Sequence, residues 1–191
     1  MNNQFSHKIF ALVGPSGVGK SVILKGVLKK IPELKIIPSY TTRPKRSAEK
    51  EGWEHFFVTI EEFKQLINGK KLLEYEQVHP GTFYGMPLAQ TRERLQKDNL
   101  IRDIDILGSQ SLKKFFPEQV VIIFIKPPNL NELKARITKR GEHSEKEIIE
   151  RLSRINFEME RAHLADYLVV NDKLPMCIKE VAEIIRKEIQ K

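Results

Sequence analysis

Cysteine is all but missing: Cys177 stands alone, so no internal disulfide can form, as suits a reducing compartment. Long apolar runs are missing too. The longest, Val120–Ile125, stops at Lys126, well short of the roughly 18 residues a membrane-crossing helix needs. The opening stretch, Met1 to Lys8, lacks the basic start and extended apolar segment of a secretory signal. No repeat, low-complexity tract or block of like charge appears anywhere. These absences predict a cytoplasmic protein with no membrane association.

What is present suits one globular unit. Apolar residues make up 40% of the chain and charged ones 30%, and 191 residues suffice for one substantial core. Lysine and arginine number 33 against 25 acidic residues, a net charge of +8 that fits an anionic partner. The basic residues are scattered among acidic ones, and no nucleic-acid module is recognisable. A small phosphorylated ligand is therefore expected and a nucleic acid is not.

Lys8–Val13 is a short apolar run ending in a glycine-rich turn, the pattern of a buried parallel strand. Helical spacing follows from Lys20 until Pro32, and Leu34–Ile37 is a second strand. Residues 39–91 have another texture. A polar loop from Thr41 to Glu54 leads to a strand at Phe56–Val58, a helix over Ile60–Asn68 stopped by Gly69, and strands at Leu72–Tyr75 and Thr82–Tyr84. Then come a helix from Pro87, a strand over Leu100–Asp105, a helix over Ser109–Phe116, the Val120 strand and a break at Pro127-Pro128. Leu130–Lys139 predicts a helix, and Ser144 with Glu147 has capping-box spacing ahead of a long one. A strand at Tyr167–Val170 and a helix over Pro175–Lys187 close the chain. Strands alternating with helices predict an α/β fold with a mainly parallel, doubly wound sheet.

Gly14-Pro15-Ser16-Gly17-Val18-Gly19-Lys20-Ser21 matches the phosphate-binding P-loop pattern, with the required strand before it and helix after it. Its glycines let backbone N–H groups converge on phosphate oxygens, and the helix N-terminus adds partial positive charge. In this pattern Lys20 can reach the β- and γ-phosphates of a nucleoside triphosphate, while the Ser21 hydroxyl can ligate Mg²⁺. A carboxylate at a neighbouring strand tip should stand near Ser21. Asp103 is the choice for the metal, and Asp105, on the same face if the strand stays extended, for the acceptor pocket. Arg102 has no evident reason to sit in a buried strand.

Thr41-Thr42-Arg43, Arg46, Glu49, Gly52, His55 and Phe57 follow a spacing that, with the P-loop, resembles the guanylate kinase family. The resemblance continues through Glu74, Phe83-Tyr84-Gly85, Asp103-Ile104-Asp105, Arg140-Gly141, Arg151 and Val170-Asn171-Asp172, nearly the whole chain. It implies a P-loop NTPase core at 1–38, 92–129 and 155–191, an inserted acceptor-binding subdomain at 39–91 and a helical lid at 130–154. The implied reaction is Mg²⁺-dependent transfer of the γ-phosphoryl of ATP to GMP, by a monomer or homodimer. Arg43 and Arg46 would grip the GMP phosphate with Tyr84, Ser39 would donate to guanine O6, and Glu74 would accept from N1–H and the exocyclic amine. Val22 would flank the ATP loop, Asn171 would lie beside adenine, and Arg140, Arg151 and Arg136 would close over the phosphates. Without the resemblance, the same arginines read as solvated charges on loops and helices.

Three departures cluster at the acceptor. His55 stands where the family usually has a tyrosine on the GMP phosphate. Met86 stands where a serine or threonine helps hold guanine, a loss worth about 1–3 kcal/mol of base discrimination. His79-Pro80-Gly81-Thr82 carries an extra residue. Val22, where a threonine is common, is a mild change. An altered acceptor, or a non-catalytic binding domain on the same scaffold, are the competing readings.

Overall fold

Both faces of the central strand are covered, which is why its five residues are buried without alternation. The computed structural model describes residues 5–47, 49–133 and 145–191; at 78, 79, 145–148, 150 and 151 only the backbone is described. In chain order the elements are β1 (Ile9–Val13), α1 (Lys20–Lys30), β2 (Lys35–Ile36), β3 (Ser39–Thr41), β4 (His55–Phe57), α2 (Ile60–Asn68), β5 (Leu72–His79) and β6 (Thr82–Pro87). They continue as α3 (Leu88–Leu95), β7 (Leu100–Asp103), α4 (Ile106–Phe115), β8 (Val120–Lys126), α5 (Glu145–Glu160), β9 (Tyr167–Val170) and α6 (Leu174–Ile189).

Five strands form a parallel sheet in the order β2-β7-β1-β8-β9. Alternate residues of β1 serve opposite layers. Phe10 and Leu12 pack with Ile23 and Val27 of α1 and with Val181 and Ile185 of α6. Ile9, Ala11 and Val13 pack with Leu95 of α3 and Ile106 and Leu112 of α4. The doubly wound α/β arrangement expected from the periodicity is the one found.

A second sheet, of order β4-β3-β6-β5, is built wholly from the segment between β2 and α3. Here β3 pairs parallel with β4 and antiparallel with β6, and β5 and β6 make a hairpin turning at Gly81, whose φ is 76°. β5 runs beyond the expected Tyr75 to His79 because the hairpin ladder continues past it. α2 spans the expected residues. Thr59 and Glu62 cap its start reciprocally, and the left-handed residue after its end is Lys70 (φ 49°), not Gly69.

One expectation fails at the end of β7. The strand stops at Asp103, and Asp105 instead caps α4, accepting from the N–H groups of Leu107 and Gly108 at 2.9 and 3.0 Å. α4 therefore starts three residues before Ser109, since the cap offers two N–H partners that an extended Asp105 would leave unmet. Residues 130–133 are helical. The rest of the predicted helix, with Arg136, Arg140 and the Ser144 cap, lies outside the described residues. Among the described residues no helix is long and apolar enough to cross a membrane.

Candidate active site

The loop leaving β1 can take its course only with glycine at its first position. Gly14 has φ 138°, and a Cβ there would lie 2.3 Å from the carbonyl oxygen of Ile125 on β8. Gly19, with φ 102°, precedes α1, and a Cβ on it would sit 2.9 Å from Nδ2 of Asn171. That amide donates to the carbonyl of Val18 at 2.8 Å, so Asn171 braces the loop from the end of β9. Ser16, Gly17 and Val22 are exposed, while Pro15 and Val18 are buried.

Lys20 folds back over the loop, donating to the carbonyls of Gly14 (2.5 Å) and Pro15 (3.3 Å). Burial pulls its pKa down, against the opposing pull of Glu158 and Asp103. The Ser21 hydroxyl donates to Asp103 Oδ2 at 3.1 Å, bringing together the two residues assigned to the metal. A hydroxyl beside a carboxylate is a hard-oxygen pair, the donor chemistry Mg²⁺ takes alongside phosphate oxygens.

On the second sheet, the Arg43 guanidinium is held by four bonds, one of them from Nη1 to the Pro44 carbonyl at 3.0 Å. Its Nη1 and Nη2 donate to the two carboxylate oxygens of Glu49 at 2.7 and 2.5 Å, and Nε donates to the Tyr84 hydroxyl at 3.0 Å. The Arg43 bonds hold Glu49 down at about 2, so it is a permanent anion. Glu49 also accepts from the Arg46 backbone N–H at 2.9 Å, while the Arg46 side chain lies exposed. Because Tyr84 accepts from a guanidinium, its own proton is left to donate elsewhere.

Ser39, His55 and Arg102 form a short polar chain. Arg102 Nη2 donates to Ser39 Oγ at 2.8 Å, and Ser39 Oγ lies 2.8 Å from His55 Nδ1. Burial, then the positive charges of Arg102 and Arg43, lower His55 to about 4, so the imidazole is neutral. Arg102 also donates to the carbonyls of Ile37 (2.9 Å) and Glu54 (2.8 Å), which explains a cation inside a strand. It joins the parallel sheet to the inserted one.

Glu74 on β5 lies opposite Met86 on β6. Burial foremost, then the negative charge of Asp105, raise Glu74 to about 8. Met86 itself is 1% exposed, packed in the apolar cluster of Leu73, Ile37 and Leu95. Its assignment as a ligand-facing position is corrected accordingly: an apolar side chain at this register gains more from the core than from the cleft.

Sequence reasoning passed over Glu76, Arg154 and Glu158. With Asp105, Ile106, Leu107 and Phe157 they line a cavity of about 230 Å³. Arg154 Nη2 meets Glu76 Oε1 at 2.6 Å, and its Nε lies 3.6 Å from Glu158 Oε1. Burial and Asp105 raise Glu76 to about 7. No motif carries these three; the available signal was the polar run Glu74-Tyr75-Glu76-Gln77 inside a strand. Arg151 lies on α5 with its side chain outside the described residues, and Arg140 lies outside them altogether.

A half-buried cation over a glycine loop, a hydroxyl–carboxylate pair beside it, and a facing sheet of arginine, tyrosine and protonatable carboxylates can hold two anionic ligands end to end. A family model described as guanylate kinase matches residues 6–188. The guanylate kinase of Salinibacter ruber is 37% identical over 179 residues, covering 94% of this chain and 95% of that one. The guanylate kinase of Bacteroides thetaiotaomicron is also 37% identical, covering 98% and 93%. Among solved structures, that of guanylate kinase from Anaplasma phagocytophilum superposes with a TM-score of 0.76 at 30% identity, covering 97% of this chain and 87% of that one.

Proposed function

The chain belongs to the guanylate kinase family, and from that premise we propose that it transfers the γ-phosphoryl of ATP to GMP, giving ADP and GDP. The observation that carries the reading is Lys20 bent over the glycine loop beside the Ser21–Asp103 pair. A triphosphate entering the loop would take the place of the Gly14 and Pro15 carbonyls as the partner of Lys20, exchanging neutral acceptors for anionic ones. The loop N–H groups and the α1 N-terminus add to that hold. Ser21 and Asp103 are the residues that would hold Mg²⁺, which would screen charge on the β- and γ-phosphates.

The acceptor would lie on the inserted unit, 39–91. Arg43 and Arg46 would take its phosphate, with the Tyr84 hydroxyl and the neutral His55 ring as further donors. Glu74 and Asp105 would meet the donor edge of guanine, which offers N1–H and an amine where adenine offers an unprotonated ring nitrogen. Arg140 and Arg151 of the lid, 130–154, would neutralise charge spreading over the group in transfer. The acceptor phosphate is itself the nucleophile, so the protein supplies position and charge compensation, not a covalent intermediate.

A second reading, relaxed acceptor choice, is favoured by Met86 lying in the core and by Ser39 Oγ being engaged by Arg102 and His55. One panel separates the two: initial rates with ATP and Mg²⁺ against GMP, dGMP, AMP and sugar phosphates. GMP is expected to exceed AMP in kcat/KM by at least tenfold, and Lys20→Met to abolish turnover with every acceptor. A different acceptor turning over faster than GMP would overturn the assignment.

A further inference from the structure

The Glu76–Arg154 pair spans the two halves of the cleft. Glu76 stands on β5 of the inserted sheet, and Arg154 on α5, the helix that also carries Arg151. They are 78 positions apart in sequence and meet at 2.6 Å. Each side chain is about a third exposed, at 34% and 32%, so the pair adds little to stability. Its worth must be sought in what it holds together.

Arg154 also ties the acceptor side to the donor side. Its Nε approaches Glu158 Oε1, and Glu158, only 5% exposed, has a second oxygen without a hydrogen-bond partner among the described residues. Glu158 is in turn the foremost counter-charge to Lys20 of the phosphate loop. A guanidinium forks, and one fork can serve two carboxylates at once, which a lysine cannot do with the same fixed geometry. One side chain therefore relates β5 to the loop lysine through two carboxylates.

We propose that Glu76 and Arg154 are positioning residues, a clasp that sets the spacing between the acceptor sheet and α5 and so the alignment of the two nucleotides. The clasp rests on the kinase reading for its purpose, but its geometry can be measured without any nucleotide. Neither residue needs to touch the reacting atoms; misalignment of the two substrates alone lowers the rate.

The test uses paired spin labels on cysteines introduced at the exposed positions Lys64 of α2 and Ile149 of α5, Cys177 being too buried to label. In the ligand-free protein the label distance is expected to be narrow, to broaden in Glu76→Gln and in Arg154→Gln, and to narrow again in the swap E76R/R154E. Unlabelled variants should lose at least fivefold in kcat, with the KM for ATP within twofold and thermal midpoints unchanged, and the swap should recover part of the loss. Identical distance distributions in all four proteins would overturn the clasp, as would single variants with wild-type kcat. A wild-type protein inert toward GMP whose label distances still follow the pattern would sink the kinase reading and leave the clasp standing.

Discussion

Burying a guanidinium is costly unless its donors are met, and Arg102 meets them with two backbone carbonyls and a hydroxyl. Arg102→Met would leave the Ile37 and Glu54 carbonyls and the Ser39 hydroxyl short of a partner. It is expected to cost about 1–3 kcal/mol, read as a lower urea midpoint. Glu74 makes a different demand. With its folded value raised to about 8, it carries a proton at neutral pH, whereas the unfolded carboxyl does not. Its stabilising contribution is complete below the unfolded value and is lost as pH rises through about 8, so Glu74→Gln should flatten the decline of stability across that window. Glu76, near 7, works in the same direction and leaves a smaller residual slope. If Glu74 must ionise to accept from guanine, GMP binding at pH 7 will release a proton. Calorimetry in two buffers of different ionisation heat should show it, and no buffer dependence would mean that the carboxyl stays protonated.

At the level of elements, α2 shows how local chemistry sets a boundary. The Glu62 N–H donates to the Thr59 hydroxyl at 3.1 Å, and the Thr59 N–H donates to the Glu62 carboxylate at 2.8 Å. Thr59→Ala is expected to cost about 1 kcal/mol, seen as a drop of a few degrees in thermal midpoint. The extent of this helix was legible because its apolar positions, its polar start and Gly69 agree. The length of β5 was not, because pairing with β6 extends a strand whose residues past Tyr75 are mostly polar. Asp105 was misplaced for a related reason. Two aspartates at i and i+2 look like one strand face, and only the chain turning into α4 makes the second a cap.

Across the whole molecule, layer order and the P-loop could be read from periodicity and motif, since both are local in sequence. Arg102 could not, because its partners are carbonyls and a hydroxyl contributed by segments 48 to 65 positions away. The same holds for Glu76 and Arg154, polar residues at unremarkable positions until the fold sets them side by side. Of the candidate site, the glycine loop and the Ser21–Asp103 proximity were anticipated in position. The partners that hold Arg43 and Ser39 were not.

The brace from Asn171 to Val18 closes a loop of 153 positions. The amide that steadies the phosphate loop and the Ile125 carbonyl against which Gly14 rests both come from strands far from the loop in sequence. The cradle stays incomplete until β8 and β9 have joined the sheet, and long-range parallel pairing is slow to form. A triphosphate bound in the loop would therefore stabilise only the state in which β8 and β9 are already paired.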